Sequence, residues 1–231
     1  MRHWVLFQVH FKDFKIFFIE LKPQYFKIRL RNQNMNHSDL QKFCAPSEII
    51  DSDHASVRAI ALELAKHSSS ADTTARLCFE FVRDQIFHSN DYRMNPVTLK
   101  ASDVLKNRTG FCFAKSHLLA ALLRANGIPA GVCYQRILLN RPGNRYALHG
   151  LNAVYVPGTG WYRADPRGNK EGISAQFEPP IEKLAYRADR DGEATLAGIF
   201  SDPIPSVVEL LSRHDDYRDV LENLPDIDAE K

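Results

Sequence analysis

The chain has 231 residues, 44% of them hydrophobic and 25% charged. Those proportions are ordinary for a globular protein and exclude a disordered, collagen-like or coiled-coil chain. Thirty Lys and Arg against 28 Asp and Glu leave a formal charge of +2, too balanced to single out nucleic acid or a membrane surface as partner.

The charge is unevenly spread. Residues 1–34 hold seven bases and two acids in a Phe- and Lys-rich stretch. Its apolar runs, Trp4–Phe7 and Ile16–Ile19, fall far short of the roughly 20 residues that span a bilayer. Nor does it have the continuous apolar stretch and small-residue cleavage site of a secretory signal. It reads as an added β-hairpin or, preferably, as a basic leader upstream of a start at Met35. The domain proper is expected over 35–231, with its core from about 36 to 224. Cys44, Cys78, Cys112 and Cys133 form no CxxC, and the nine histidines are scattered. Neither a zinc site nor a disulfide framework is expected, and a cytoplasmic location with reduced thiols follows.

In chain order, Val57, Ile60, Ala61 and Leu64 mark an amphipathic helix started by Asp51, Ser52 or Asp53 and stopped by Ser68–Ser70. Asp72 is expected to cap a second helix over about 73–87, with a stripe of Ala75, Cys78, Phe79, Val82 and Ile86. A loop follows over 89–97, then a short helix at Ala101–Leu105. Phe111–Asn126 is the longest helix signal, apolar on most sides and ended by Asn126-Gly127-Ile128-Pro129. Gly131–Leu139, Leu148–Val156 and Trp161–Asp165 read as strands of an antiparallel meander, the last two joined by the tight Pro157–Gly160 turn. Beyond them only a helix over 205–213 is predicted.

Cys112 falls on the first turn of the long helix, where unpaired amides and the helix dipole favour a thiolate. Its own N–H is placed to donate to an oxyanion. A nucleophilic thiol also needs a base. With the turn centred near 158–159, facing residues sum to about 316, so His149 lies opposite about 167 and Asp165 opposite about 151. The two side chains are therefore neighbours, and an Asp beside a His fixes its tautomer and supports the imidazolium. Taken singly, Cys112 also reads as a small core residue, His149 as a satisfied strand histidine and Asp165 as a turn residue before Pro166.

The stretches GFCFAKSHLLAALLRANGIPAGVCYQRI and LHGLNAVYVPGTGWYRADPRGNK resemble the core of the transglutaminase-like superfamily, nearest its small bacterial stand-alone members. The shared pattern is a Gly-x-Cys helix start, a Gly-Ile-Pro-Ala turn, a His strand, Gly-Trp and Asp-Pro. The resemblance is specific over about 105–170 and weaker over about 45–104. It implies a papain-like α+β fold and a Cys112, His149 and Asp165 triad. Members often carry Trp two residues after the His and an acid four after it. Leu151 and Ala153 stand there instead, which bears on substrate more than on chemistry.

The implied activity is acyl transfer from a carboxamide or peptide bond through a thioester, hydrolysis being favoured over transamidation, with no cofactor and no metal. The substrate is expected to be a peptide or small carboxamide. An arylamine N-acetyltransferase, suggested by Arg108–Cys112 and implying coenzyme A, is the alternative enzyme. A catalytically silent binding module is the alternative from another class. A second oxyanion donor is sought among Asn90, Tyr92 and Asn95, with Tyr92 preferred, and Arg167 and Asn169 are candidates for the cleft lining. His117 points about 140° away from Cys112 round the helix and is assigned a structural role, while Cys78 and Cys133 are assigned to the core.

Overall fold

The computed structural model describes residues 40–66, 68–139 and 145–226; the basic leader at 1–34 lies outside them. Helix α1 (Ala55–Ala65) and helix α2 (Ala71–Gln85) come first. Then follow β1 (Phe87–His88), a one-turn helix α3 (Ser89–Tyr92), α4 (Ala101–Asn107), β2 (Thr109–Gly110) and the central helix α5 (Cys112–Ala125). Strands β3 (Ala130–Leu138), β4 (Tyr146–Val156) and β5 (Gly160–Ala164) form the expected meander. Short strands β6 (Gln176–Glu178), β7 (Ile181–Lys183) and β8 (Ala194–Thr195) precede α6 (Pro205–Arg213) and α7 (Tyr217–Glu222).

The organisation follows from α5. Every residue from Cys112 to Arg124 is buried, because α1, α2 and α4 cover one side of the helix and β3 and β4 the other. Leu118, Leu119, Leu122 and Leu123 are all fully enclosed, and each such side chain contributes about 1.5–3 kcal/mol. Burial on all sides also encloses polar groups, which bond to backbone as they must. The Ser116 hydroxyl donates to the Cys112 carbonyl at 2.8 Å. His117 Nδ1 lies 2.8 Å from the Leu99 carbonyl, a structural role as expected. Arg124 reaches the carbonyls of Ala45, Ala130 and Ser201. The helix stops at Gly127, whose φ of +70° is a left-handed conformation that glycine adopts without strain.

The main sheet has the order β5-β4-β3-β8. The β4–β5 ladder runs from Val156↔Gly160 to Asn152↔Ala164, the register that the turn predicts. His149 is paired on its other side, with Gln135 of β3. The chain leaves the ladder at Asp165, just past the end of β5.

Four local expectations need correction. The cap of α1 is His54, whose Nδ1 accepts from the Ser56 N–H at 3.3 Å. Asp51 is unavailable because its carboxylate accepts from the Ser102 N–H at 3.0 Å, tying down the start of α4. The cap of α2 is Ser70 rather than Asp72, which sits in the first turn. Helix α2 ends at Gln85, since Ile86 is extended and feeds the β1–β2 ladder, and the loop expected over 89–97 begins with the α3 turn.

Candidate active site

The thiol of Cys112 lies at the first residue of α5 and is 8% exposed. Strand β4 crosses directly in front of it, and the N–H of Gly150 donates to Sγ across 3.5 Å. That approach requires a glycine. A Cβ at position 150 would come within 2.7 Å of Phe113 Cδ1 and 3.0 Å of its Cα. The preceding residue, His149, lies close enough to the Cys112 side chain for the two to interact electrostatically. Its Nε2 lies 2.8 Å from Asp165 Oδ2, with both side chains buried. Cys112, His149 and Asp165 are thus brought together in chain order.

Asp165 is held from several directions. Its Oδ2 also accepts from the Ala185 N–H at 3.1 Å, and its Oδ1 accepts from the Arg167 N–H at 3.2 Å. Burial pushes its carboxyl up, but the His149 charge and these hydrogen bonds outweigh burial and hold it below the usual range. Burial likewise works against the His149 imidazolium. The Asp165 carboxylate and Cys112 overcome it, so His149 is raised above its ordinary value. The ring of Tyr186 stands edge-on to that of His149, with centroids 4.8 Å apart. Neither Tyr186 nor Ala185 was singled out from the sequence. They belong to a segment with no periodicity to mark it.

The other predicted site residues separate. Arg167 is buried beside the site, its guanidinium paired with Asp91 at 2.7 Å. Asn169 turns inward, its Oδ1 accepting from the Ala175 N–H at 2.7 Å. Tyr92 is 59% exposed and packs on Phe87. Asn95 is turned to α7, donating to Asp216 and accepting from the Tyr217 N–H at 2.8 Å. The place nearest the helix start is taken by His88, which sequence reasoning missed. The parallel β1–β2 pair aligns His88 with Gly110, and its ring lies 5.7 Å from that of Phe111. Reading α2 through to residue 87 concealed it, although Ile86-Phe87 is a β-branched and aromatic pair suited to a strand.

An α+β core with a helix-start thiol facing a histidine strand defines the class: a papain-like fold of the transglutaminase type. Residues 58–166 match the family model described as the Transglutaminase-like superfamily. The chain therefore carries a transglutaminase-like core, and Cys112, His149 and Asp165 all lie within it. The match supports a cysteine-dependent enzyme. Comparison with curated proteins gave no match. Among solved structures, a candidate cysteine protease from Cytophaga hutchinsonii is 19% identical over 58% of this chain and 43% of its own, with a TM-score of 0.47. The periplasmic domain of TgpA from Pseudomonas aeruginosa is 22% identical over 57% of this chain and 48% of its own, with a TM-score of 0.44. The chain spans less than half the length of either. Among the described residues no helix is long and apolar enough to cross a membrane.

Proposed function

We propose that the protein is a thiol acyl-transfer enzyme acting on a carboxamide or peptide bond, with water as the favoured acceptor. The observation that carries this reading is the continuous line from the Cys112 thiol through His149 to the Asp165 carboxylate, with 2.8 Å between the last two. In this reading Sγ bonds to the substrate carbonyl carbon while charge gathers on its oxygen, next to the Cys112 N–H at the start of α5. The C–N bond then breaks, the amine leaves with the proton carried by His149, and a thioester remains. His149 next takes a proton from water, which attacks the thioester; the C–S bond breaks and the thiol is restored. Asp165 keeps the imidazole oriented throughout. Charged side chains beside the site favour water over an apolar amine at the thioester.

The test is iodoacetamide labelling from about pH 4 to about pH 9, read peptide by peptide for the four cysteines. Burial pushes Cys78 and Cys133 up to about 12 and also raises Cys44, so these three serve as slow internal references. Cys112 is expected to label fastest near pH 6 and to lose that advantage in His149→Ala. Equal labelling of Cys112 and Cys44, unaffected by His149→Ala, would rule the reading out.

A further inference from the structure

Near the start of α5 lies a cavity of about 210 Å³ lined by His88, Asp91, Lys115, Arg167 and Gly168, among others. His88 is aligned with Gly110, two residues before Cys112, and Lys115 lies three residues after it on α5, which sets the cavity close to the site. Its charges are unequally matched. Arg83 is held by both oxygens of Asp84. Arg167 and Lys170 share Asp91. Each of these carboxylates is therefore already engaged.

Lys115, on the turn after Cys112, is different. Its side chain is fully buried, and its ammonium bonds only to backbone, at the carbonyls of Ile86 and Arg83. Among the described residues no carboxylate lies within ion-pair distance of it. Burial and the Arg167 charge push Lys115 down to about 7, the carboxylates of Asp165, Asp84 and Asp91 offsetting only part of this. His88 is buried there too, and burial pushes its imidazole well below the ordinary value, keeping it neutral. It is 7% exposed, its Nδ1 makes no hydrogen bond, and the nearest acid, Asp91, stands 3.8 Å away. Residue 168, which faces the ammonium, is glycine with a φ of +109°. A Cβ there would sit 3.4 Å from Lys115 Nζ.

We propose that this cavity is a carboxylate-binding subsite, in which Lys115 and His88, beside the Arg167–Asp91 pair, receive an acidic group of the substrate next to the bond that Cys112 attacks. A carboxylate supplies Lys115 with a direct ion-pair partner that favours its charged form, and gives an acceptor for an N–H of His88. Arg167, whose guanidinium is already held by both oxygens of Asp91, adds positive potential beside it. The substrate class is thereby narrowed to carboxamides that carry a free carboxylate close to the scissile carbonyl. The placement beside the bond rests on the acyl-transfer reading, whereas binding itself does not.

The experiment therefore uses a protein that cannot react. The full chain with Cys112→Ser is titrated by calorimetry with glutarate and, separately, with glutaramide, its uncharged counterpart. Glutarate is expected to bind saturably and about tenfold more tightly than glutaramide. Lys115→Met and His88→Phe should each weaken glutarate by about fivefold or more and leave glutaramide unchanged. Lys115→Met also removes two hydrogen bonds to backbone; should it fail to fold, His88→Phe, which keeps a ring against Phe111, carries the comparison. Equal affinity for acid and amide, or glutarate binding unchanged in His88→Phe, overturns the subsite. Failure of the acyl-transfer reading would appear elsewhere, in the labelling of Cys112.

Discussion

The amide of Gly150 points at the sulfur of Cys112 across 3.5 Å, and the absence of a side chain on that glycine is what lets strand and helix meet so closely. A methyl group at this position would press on Phe113 and force β4 away from the start of α5. Overpacking of this kind costs about 1–3 kcal/mol. Gly150→Ala should unfold at correspondingly lower denaturant concentration. Near pH 6 its Cys112 should react with iodoacetamide about tenfold more slowly than in the parent protein. Reaction at the parent rate would show that the thiol does not depend on this approach.

Tyr186 holds the outer face of His149. Its ring packs edge-on at 4.8 Å, and its carbonyl accepts from Gln135 Nε2 at 3.3 Å. An aromatic pair of this type contributes about 0.5–1.5 kcal/mol. Tyr186→Phe should label at Cys112 like the parent. Tyr186→Ala, by freeing the imidazole, should label several-fold more slowly and lose about 0.5–1.5 kcal/mol of stability. A matching loss in Tyr186→Phe would assign the effect to the hydroxyl instead.

His117 provides a pH dependence with a definite sign. Burial pushes it down to about 4, the bond to Leu99 offsetting only part of this. Between the unfolded value near 6.5 and about 4, the unfolded chain binds the proton and the folded one does not. Stability is therefore lost as pH falls through that window, by about 3 kcal/mol for this residue. His117→Gln, which can still donate to the Leu99 carbonyl, should show a flatter acid limb in denaturant melts from about pH 7 to about pH 4. An identical limb in parent and variant would remove His117 from the account.

Arg124 is a purely structural cation. It ties the end of α5 to three segments through the carbonyls of Ala45, Ala130 and Ser201. Arg124→Met leaves those acceptors buried without donors and should cost about 3 kcal/mol. In the folded fraction Cys112 should still label at the parent rate, separating scaffold from chemistry.

The sequence was most informative where one pattern was long or one turn was tight. The unbroken apolar run from Leu118 to Leu123 announced a buried helix, and the Pro157–Gly160 turn set a register that held to the residue. Asp165 was legible from that arithmetic even though it lies past the last ladder pair. Caps were harder, because Asp51, Ser52, His54, Ser70 and Asp72 are all competent acceptors, and tertiary contacts decide which one is free. His88 was hidden by a helix stripe that continues through Ile86 although the helix does not. Lys115 and Arg124 carry no local pattern that announces their roles; both are anchored to carbonyls from elsewhere in the fold. Tyr186 lies in a stretch whose position is set by contacts to β3 and Asp165 rather than by any local pattern.

The enclosure of α5 has a consequence for regulation. Its amides should be among the slowest in the domain to exchange with solvent, since opening them means dismantling the core itself. Cys112 therefore cannot be retracted by local fraying, and the thiol is presented whenever the domain is folded. Any control over turnover must act from the periphery, through what occupies the approaches near Tyr92 and Tyr186.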